Sequence, residues 1–173
     1  TSALAHFVQH RADGAMARVV AEPTDRGPLA QPSIGTPPAP DVCVMIHAFY
    51  VDLLAELLQP LTALAGPATV LISVCDEADV AEADAIVTRM LGAGTTRVVR
   101  CVPNRGRNFA PLLCSFADEV SRHDLLLHLH TKKSLYSGGE RLDWRQHLLR
   151  ALTGPAVPAI LDLFATDPTI GVL

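Results

Sequence analysis

Leu125-Leu126-Leu127-His128-Leu129-His130-Thr131-Lys132-Lys133-Ser134 is the stretch on which the fold turns. A short apolar run passes straight into histidine, a hydroxyl and two lysines. A run that is apolar on both faces is the mark of a strand inside a parallel sheet covered by helices. A cationic ending belongs where such a strand leaves the core. The same pattern recurs three times upstream. Val42–Ile46 runs into His47 and Phe49-Tyr50. Thr69–Val74 runs into Cys75-Asp76-Glu77. Val98–Val102 runs into Pro103-Asn104-Arg105-Gly106-Arg107-Asn108.

Helical segments separate these runs. Leu53, Leu54, Leu57, Leu58, Leu61 and Leu64 recur at helical spacing over residues 51–65, and Gly66-Pro67 stops them. Val80, Ile86, Val87, Met90 and Leu91 predict a helix over 78–91, ended by Gly92 and Gly94. A helix over 109–121 has Asn108 as its N-cap and Pro111 in its first turn, where proline is tolerated. Helices at 143–152 and 156–165 follow, and Ile170–Leu173 begins a fifth strand. Strands alternating with helices specify α/β architecture: a Rossmann-like, mostly parallel sheet with helices on both faces. We place this domain at residues 41–173 and expect it to be truncated at its C terminus, because the chain stops inside an apolar segment. Residues 1–40 read as a short helix within 3–20, carrying Leu4, Phe7 and Val8 on one face, and a linker over Pro23–Pro40 that holds six of the 13 prolines.

The chain has 173 residues, 49% apolar and 18% charged, with a formal net charge of −4. Such a chain is expected to fold rather than remain disordered, and it is not a general nucleic-acid binder. Residues 101–150 nevertheless hold eight Lys/Arg against five Asp/Glu, so a local site for an anionic ligand fits the charge distribution. Cys43, Cys75, Cys101 and Cys114 form no Cys-x-x-Cys pair and read as free thiols of a reducing compartment. No apolar run approaches the ~20 residues of a membrane span, and the start has no signal-peptide pattern. The expected location is the cytoplasm.

In open parallel sheets, ligands bind beyond the carboxyl ends of the strands, and all four strand ends here are polar. Gly106 permits a tight turn near a ligand. The helix after it offers free N–H groups to an anion, and Arg105 and Arg107 supply forked donors that fit phosphate. Asn104 and Asn108 complete that loop. His128 and His130, two apart on a strand, face one side of the sheet. Lys132 and Lys133 could neutralise a diphosphate. A zinc site at His128, His130 and His47 would want a further carboxylate or cysteine, and none stands at suitable spacing. Asp76 and Glu77 suit a ribose or base edge. Trp144, Leu148 and Leu152 make an apolar stripe on their helix, with Arg145 off the stripe and able to reach toward the site. Ser137-Gly138-Gly139 suggests a loop that closes over a ligand.

At these residues the sequence resembles the rhamnan synthesis protein F family, bacterial proteins of cell-surface polysaccharide assembly related to rhamnosyltransferases. The resemblance rests on His47-Ala48-Phe49-Tyr50, Asn104–Leu113, Leu127–Ser134, Trp144-Arg145 and Asp167-Pro168-Thr169-Ile170-Gly171, and it covers about residues 42–173. More broadly, the strand order, the acidic end of the second strand and the Asn-Arg-Gly loop are similar to GT-A glycosyltransferases. That resemblance implies half of a GT-A-like fold binding a nucleotide-diphosphate sugar, dTDP-rhamnose being the expected donor, and passing the sugar to a glycan acceptor. It implies catalytic roles for His130 and His47. Substrate binding would fall to Asp76, Glu77, Asn104, Arg105, Arg107, Asn108, His128, Lys132, Lys133 and Arg145. GT-A enzymes carry Asp-x-Asp after the fourth strand, where this chain has His130-Thr131-Lys132. The departure implies that no metal cofactor is required, Mg²⁺ or Mn²⁺ being the expected kind if one takes part, and that Lys132 and Lys133 would meet the leaving diphosphate. Asn108 stands where an aspartate is expected, and asparagine cannot serve as a base. The competing expectation is a non-catalytic nucleotide- or glycan-binding module that scaffolds other domains of a larger synthase. Either function would draw the protein to the inner face of the membrane.

Overall fold

The computed structural model describes residues 6–9, 40–64, 68–133, 142–167 and 169–173. Five strands form one sheet: β1 (His6–Gln9), β2 (Val42–His47), β3 (Ala68–Val74), β4 (Arg97–Cys101) and β5 (Leu125–His130). Their order across the sheet is β1-β5-β2-β3-β4. β5, β2, β3 and β4 are parallel, and β1 lies antiparallel along the outer edge of β5. The chain therefore builds outward from β2 through β3 to β4, then returns to place β5 on the other side of β2. This is a Rossmann-like α/β sheet, and its strand order reverses between β2 and β5.

Strand periodicity divides the core into two layers. Val42, Val44 and Ile46 of β2, Val70, Ile72 and Val74 of β3, and Leu125, Leu127 and Leu129 of β5 face one side. There they meet α1 (Leu54–Leu58), α2 (Asp79–Leu91), α4 (Leu142–Leu152) and α5 (Val157–Thr166), through Leu54, Leu57, Leu58, Ala83, Ile86, Val87, Leu149, Ile160 and Phe164. Cys43, Met45, Leu71 and Leu126 face the other side, under Leu112, Phe116 and Val120. The last two belong to the segment leading into and forming α3 (Ala117–Val120). Burial pushes the Cys43 thiol up to about 12, so it sits there as an uncharged apolar group.

Four local readings are corrected. Residues 6–9, read as helix, form β1 instead. Four residues cannot separate the helical from the strand period, and the free edge of β5 supplies backbone partners that a short exposed helix would lack. The helix over 51–65 is a tight 3₁₀ turn, α1 and a second 3₁₀ turn, because Pro60 has no N–H to continue the α pattern. The helix over 109–121 starts at Phe109, directly after Asn108 as expected, but widens into a π turn at Pro111–Ser115 and breaks at Phe116. Ile170–Leu173 is not a strand; only Val172 makes a single bridge, and its side chain is exposed. The linker within residues 10–39 and the Ser137-Gly138-Gly139 loop lie outside the described residues.

Candidate functional site at the strand ends

The strand order reverses between β2 and β5, and the space beyond the carboxyl ends at such a reversal is where doubly wound sheets bind ligands. Register brings a polar row to that edge. His130 pairs with His47, His47 with Ser73, and Ser73 with Arg100, so one residue from each parallel strand lines up on the face that α3 covers. His47 Nδ1 lies 2.8 Å from Ser73 Oγ, and both side chains are buried. Arg100 closes the row. Its guanidinium donates to the Ser115 carbonyl and to the Glu119 carboxylate, and stands 4.8 Å over the Phe116 ring. The hydrogen bond from Arg100 holds the Glu119 carboxyl below the usual carboxylate range. The π turn frees the Ser115 carbonyl to accept this bond.

His47 is held neutral. Burial, with the neighbouring His130, lowers its pKa below the ordinary 6.5. The unfolded chain then binds this proton more readily than the folded one. The stability tied to His47 is fully present above about pH 6.5 and is lost as pH falls through that value toward the folded pKa. One proton contributes at most about 1.4 kcal/mol per pH unit. Urea unfolding of the protein between about pH 7.5 and pH 5.5 is expected to show this slope, and His47→Gln is expected to flatten it. Equal slopes in both proteins would remove His47 as the cause.

Thr131 ties the two strand ends together. Its N–H donates to the His47 carbonyl at 3.0 Å, and its Oγ1 accepts the Tyr50 N–H at 2.9 Å. Tyr50 packs edge-on against Phe49, ring centroids 4.8 Å apart. Lys133 Nζ stands 4.9 Å over the Tyr50 ring and donates to Asp52 Oδ2 at 2.6 Å. Lys132, half-buried beside it, has no ion-pair partner among the described residues.

The Asn104–Asn108 loop reaches the same region through Phe109, whose half-exposed ring lies 5.3 Å from the buried His128 imidazole. Asn104, Arg105 and Arg107 are exposed and Asn108 is half-buried. Gly106 has φ +70°, and a Cβ there would fall 2.4 Å from Ala110 Cβ. The glycine is thus required by the turn's own packing onto the next helical turn. Arg107 follows at φ +56°, a left-handed conformation uncommon for a residue with a side chain. Asp76 and Glu77 are exposed at the end of β3, where Asp76 Oδ1 accepts the Ala78 N–H at 3.0 Å. That end is separated from β5 by β2, so the acidic pair lies to one side of the β2 and β5 ends. The Arg145 and Trp144 side chains lie outside the described residues. Among the described residues no group of three or more His, Cys, Asp or Glu could hold a metal ion. A cavity of 540 Å³ between Pro60 and Arg150 lies away from the strand ends.

The model of the family described as Rhamnan synthesis protein F matches residues 28–173. The chain belongs to the rhamnan synthesis protein F family. Two relatives, both named Uncharacterized protein WxcX and both from Xanthomonas campestris pv. campestris, strains B100 and ATCC 33913, are 35% identical over 136 residues. That overlap is 77% of this chain and 19% of each relative, so the chain spans about a fifth of their length. No solved structure matches. The rhamnan synthesis protein F match takes in the four parallel strands and both polar loops, and β1 lies before it. Among the described residues no helix is long and apolar enough to cross a membrane.

Ser73, Arg100 and Asp52 are structural partners absent from the sequence-based site, and Tyr50 and Thr131 enter there only as parts of longer motifs. Ser73 and Arg100 did carry a signal: each interrupts a mainly apolar run.

Proposed function

We propose that the carboxyl ends of β2 and β5 bind a nucleotide-diphosphate sugar and that the domain transfers the sugar to a glycan acceptor in polysaccharide biosynthesis. The observation that carries this reading is the register pair His47–His130 at the strand-order reversal, with Lys132 and Lys133 directly beyond it. Membership of a family named for rhamnan synthesis supports the substrate class, with dTDP-rhamnose as the proposed donor. In the transfer, an acceptor hydroxyl attacks the anomeric carbon and its proton passes to a base. The bond from that carbon to the diphosphate oxygen breaks, and the diphosphate leaves with the electron pair. His130 is better suited to take the proton than His47, because His47 is buried and its Nδ1 is engaged by Ser73. Lys132, with Arg105 and Arg107, would stabilise the leaving diphosphate without a metal. Asp76 or Glu77 would contact the nucleoside.

The test is binding of nucleoside diphosphates and their sugars by thermal shift, with and without Mg²⁺ or Mn²⁺. Stabilisation without metal is expected, lost when Lys132 and Lys133 are both replaced by alanine. No stabilisation by any nucleotide would overturn the reading. The second reading, a non-catalytic module, is favoured by the absence of a carboxylate from the polar row itself. Sugar transfer that disappears in His130→Ala would exclude it.

A further inference from the structure

Lys132 and Lys133 are neighbours in sequence but not in electrostatics. Lys133 spends its charge inside the protein: Asp52 accepts from its ammonium at 2.6 Å, and the Tyr50 ring lies beneath it at 4.9 Å. Tyr50 is in turn fixed by its N–H bond to Thr131 Oγ1 and by the edge of Phe49. The Asp52 side chain is 62% exposed, so its carboxylate faces the same solvent through which an anion would arrive. A diphosphate approaching Lys133 would meet that carboxylate first and be repelled by it. Lys132 has no such neighbour among the described residues.

We infer that Asp52 withdraws Lys133 from the anion site. Asp52, Lys133 and Tyr50 form an internal clamp that fixes the Phe49–Tyr50 segment beyond β2, and Lys132 is the lysine that meets the diphosphate. This division of labour rests on reading the strand ends as a diphosphate site. It makes Asp52 and Lys133 positioning residues and Lys132 the binding residue.

The experiment compares Lys132→Met, Lys133→Met and the charge-neutral pair Lys133→Met with Asp52→Asn, titrated with thymidine diphosphate and with inorganic pyrophosphate over a range of salt concentrations. Lys132→Met is expected to weaken binding about tenfold or more and to flatten its salt dependence, because a charge-assisted contact is lost. The double variant keeps the net charge of the wild type. It is expected to stay within about threefold of wild-type affinity with the salt dependence unchanged, an effect no larger than the loss of an exposed pair. A double variant that loses as much affinity as Lys132→Met, or that flattens the salt dependence, would overturn the assignment. A readout without ligand separates the clamp from the site. The amide resonance of Tyr50, which donates to Thr131 Oγ1, is expected to move in Lys133→Met and in Asp52→Asn but not in Lys132→Met. If the wild type bound neither phosphate compound while this resonance moved as expected, the diphosphate reading would fall and the clamp would stand. A resonance indifferent to Lys133 and Asp52 would remove the clamp.

Discussion

Replacing Phe116 by alanine is expected to destabilise the protein by about 3–5 kcal/mol, the range for removing a fully buried aromatic ring. Phe116 has no exposed surface and packs among Cys43, Met45, Leu71, Leu112, Val120 and Leu126. It also sits at the break between the π turn and α3, with the Arg100 guanidinium over its ring. Removing the ring leaves a cavity under that guanidinium and loosens the element that carries the Asn104–Phe109 loop onto β5. The effect should therefore exceed a simple core loss by reducing ligand affinity as well. Urea unfolding measures the first part and nucleotide titration the second. Leu113→Ala is the control: Leu113 is 68% exposed, so a change within about 0.5 kcal/mol is expected. A Phe116→Ala change below about 1 kcal/mol would contradict the packing described for this face.

Gly106→Ala is expected to cost about 2–5 kcal/mol, because two penalties coincide. The left-handed backbone at φ +70° costs a side chain about 1–2 kcal/mol, and overpacking adds about 1–3 kcal/mol. The added Cβ would lie 2.4 Å from Ala110 Cβ, and the Ala110 N–H already donates to the Gly106 carbonyl at 3.2 Å, so the turn cannot simply slide away. Gly154→Ala isolates the first penalty more closely. Gly154 has φ +61°, and a built Cβ would meet Pro60 Cβ at an ordinary contact distance of 3.5 Å, so about 1–2 kcal/mol is expected there. The excess at Gly106 measures how tightly the Arg105–Asn108 turn is bolted to the helical turn behind it. Equal costs at the two glycines would mean that the turn yields, and that Arg105 and Arg107 are held less firmly than the geometry indicates.

The alternation of strands and helices was legible because β2, β3 and β5 are largely buried on both faces and so appear as mainly apolar runs. Strand order was not legible from composition or periodicity. It decides that His47 faces His130, and only the sheet register reveals this. Ser73 and Arg100 were visible as single polar residues within strands, but one polar residue in a strand says nothing until its neighbours across the sheet are known. The Lys133–Asp52 pair joins residues 81 positions apart, so the lysine pair read as two equal charges. β1 was misread because four residues fit either period, and pairing with β5 settled the matter through backbone bonds that the sequence does not display. The break at Phe116 has a similar origin. Arg100 reaches the Ser115 carbonyl from 15 residues away, a tertiary hold that overrides the local helical pattern.

The central claim is that the protein's own positive charge, without a metal, holds a nucleotide diphosphate beyond β2 and β5. Calorimetric titration of thymidine diphosphate and its sugar conjugates into the protein, with chelator present, tests it most directly. Saturable binding is expected in the wild type, with affinity lowered at least about tenfold when Lys132 and Lys133 are both replaced by alanine. Binding that appears only with Mg²⁺ or Mn²⁺, or that is unchanged in the double variant, would contradict the account.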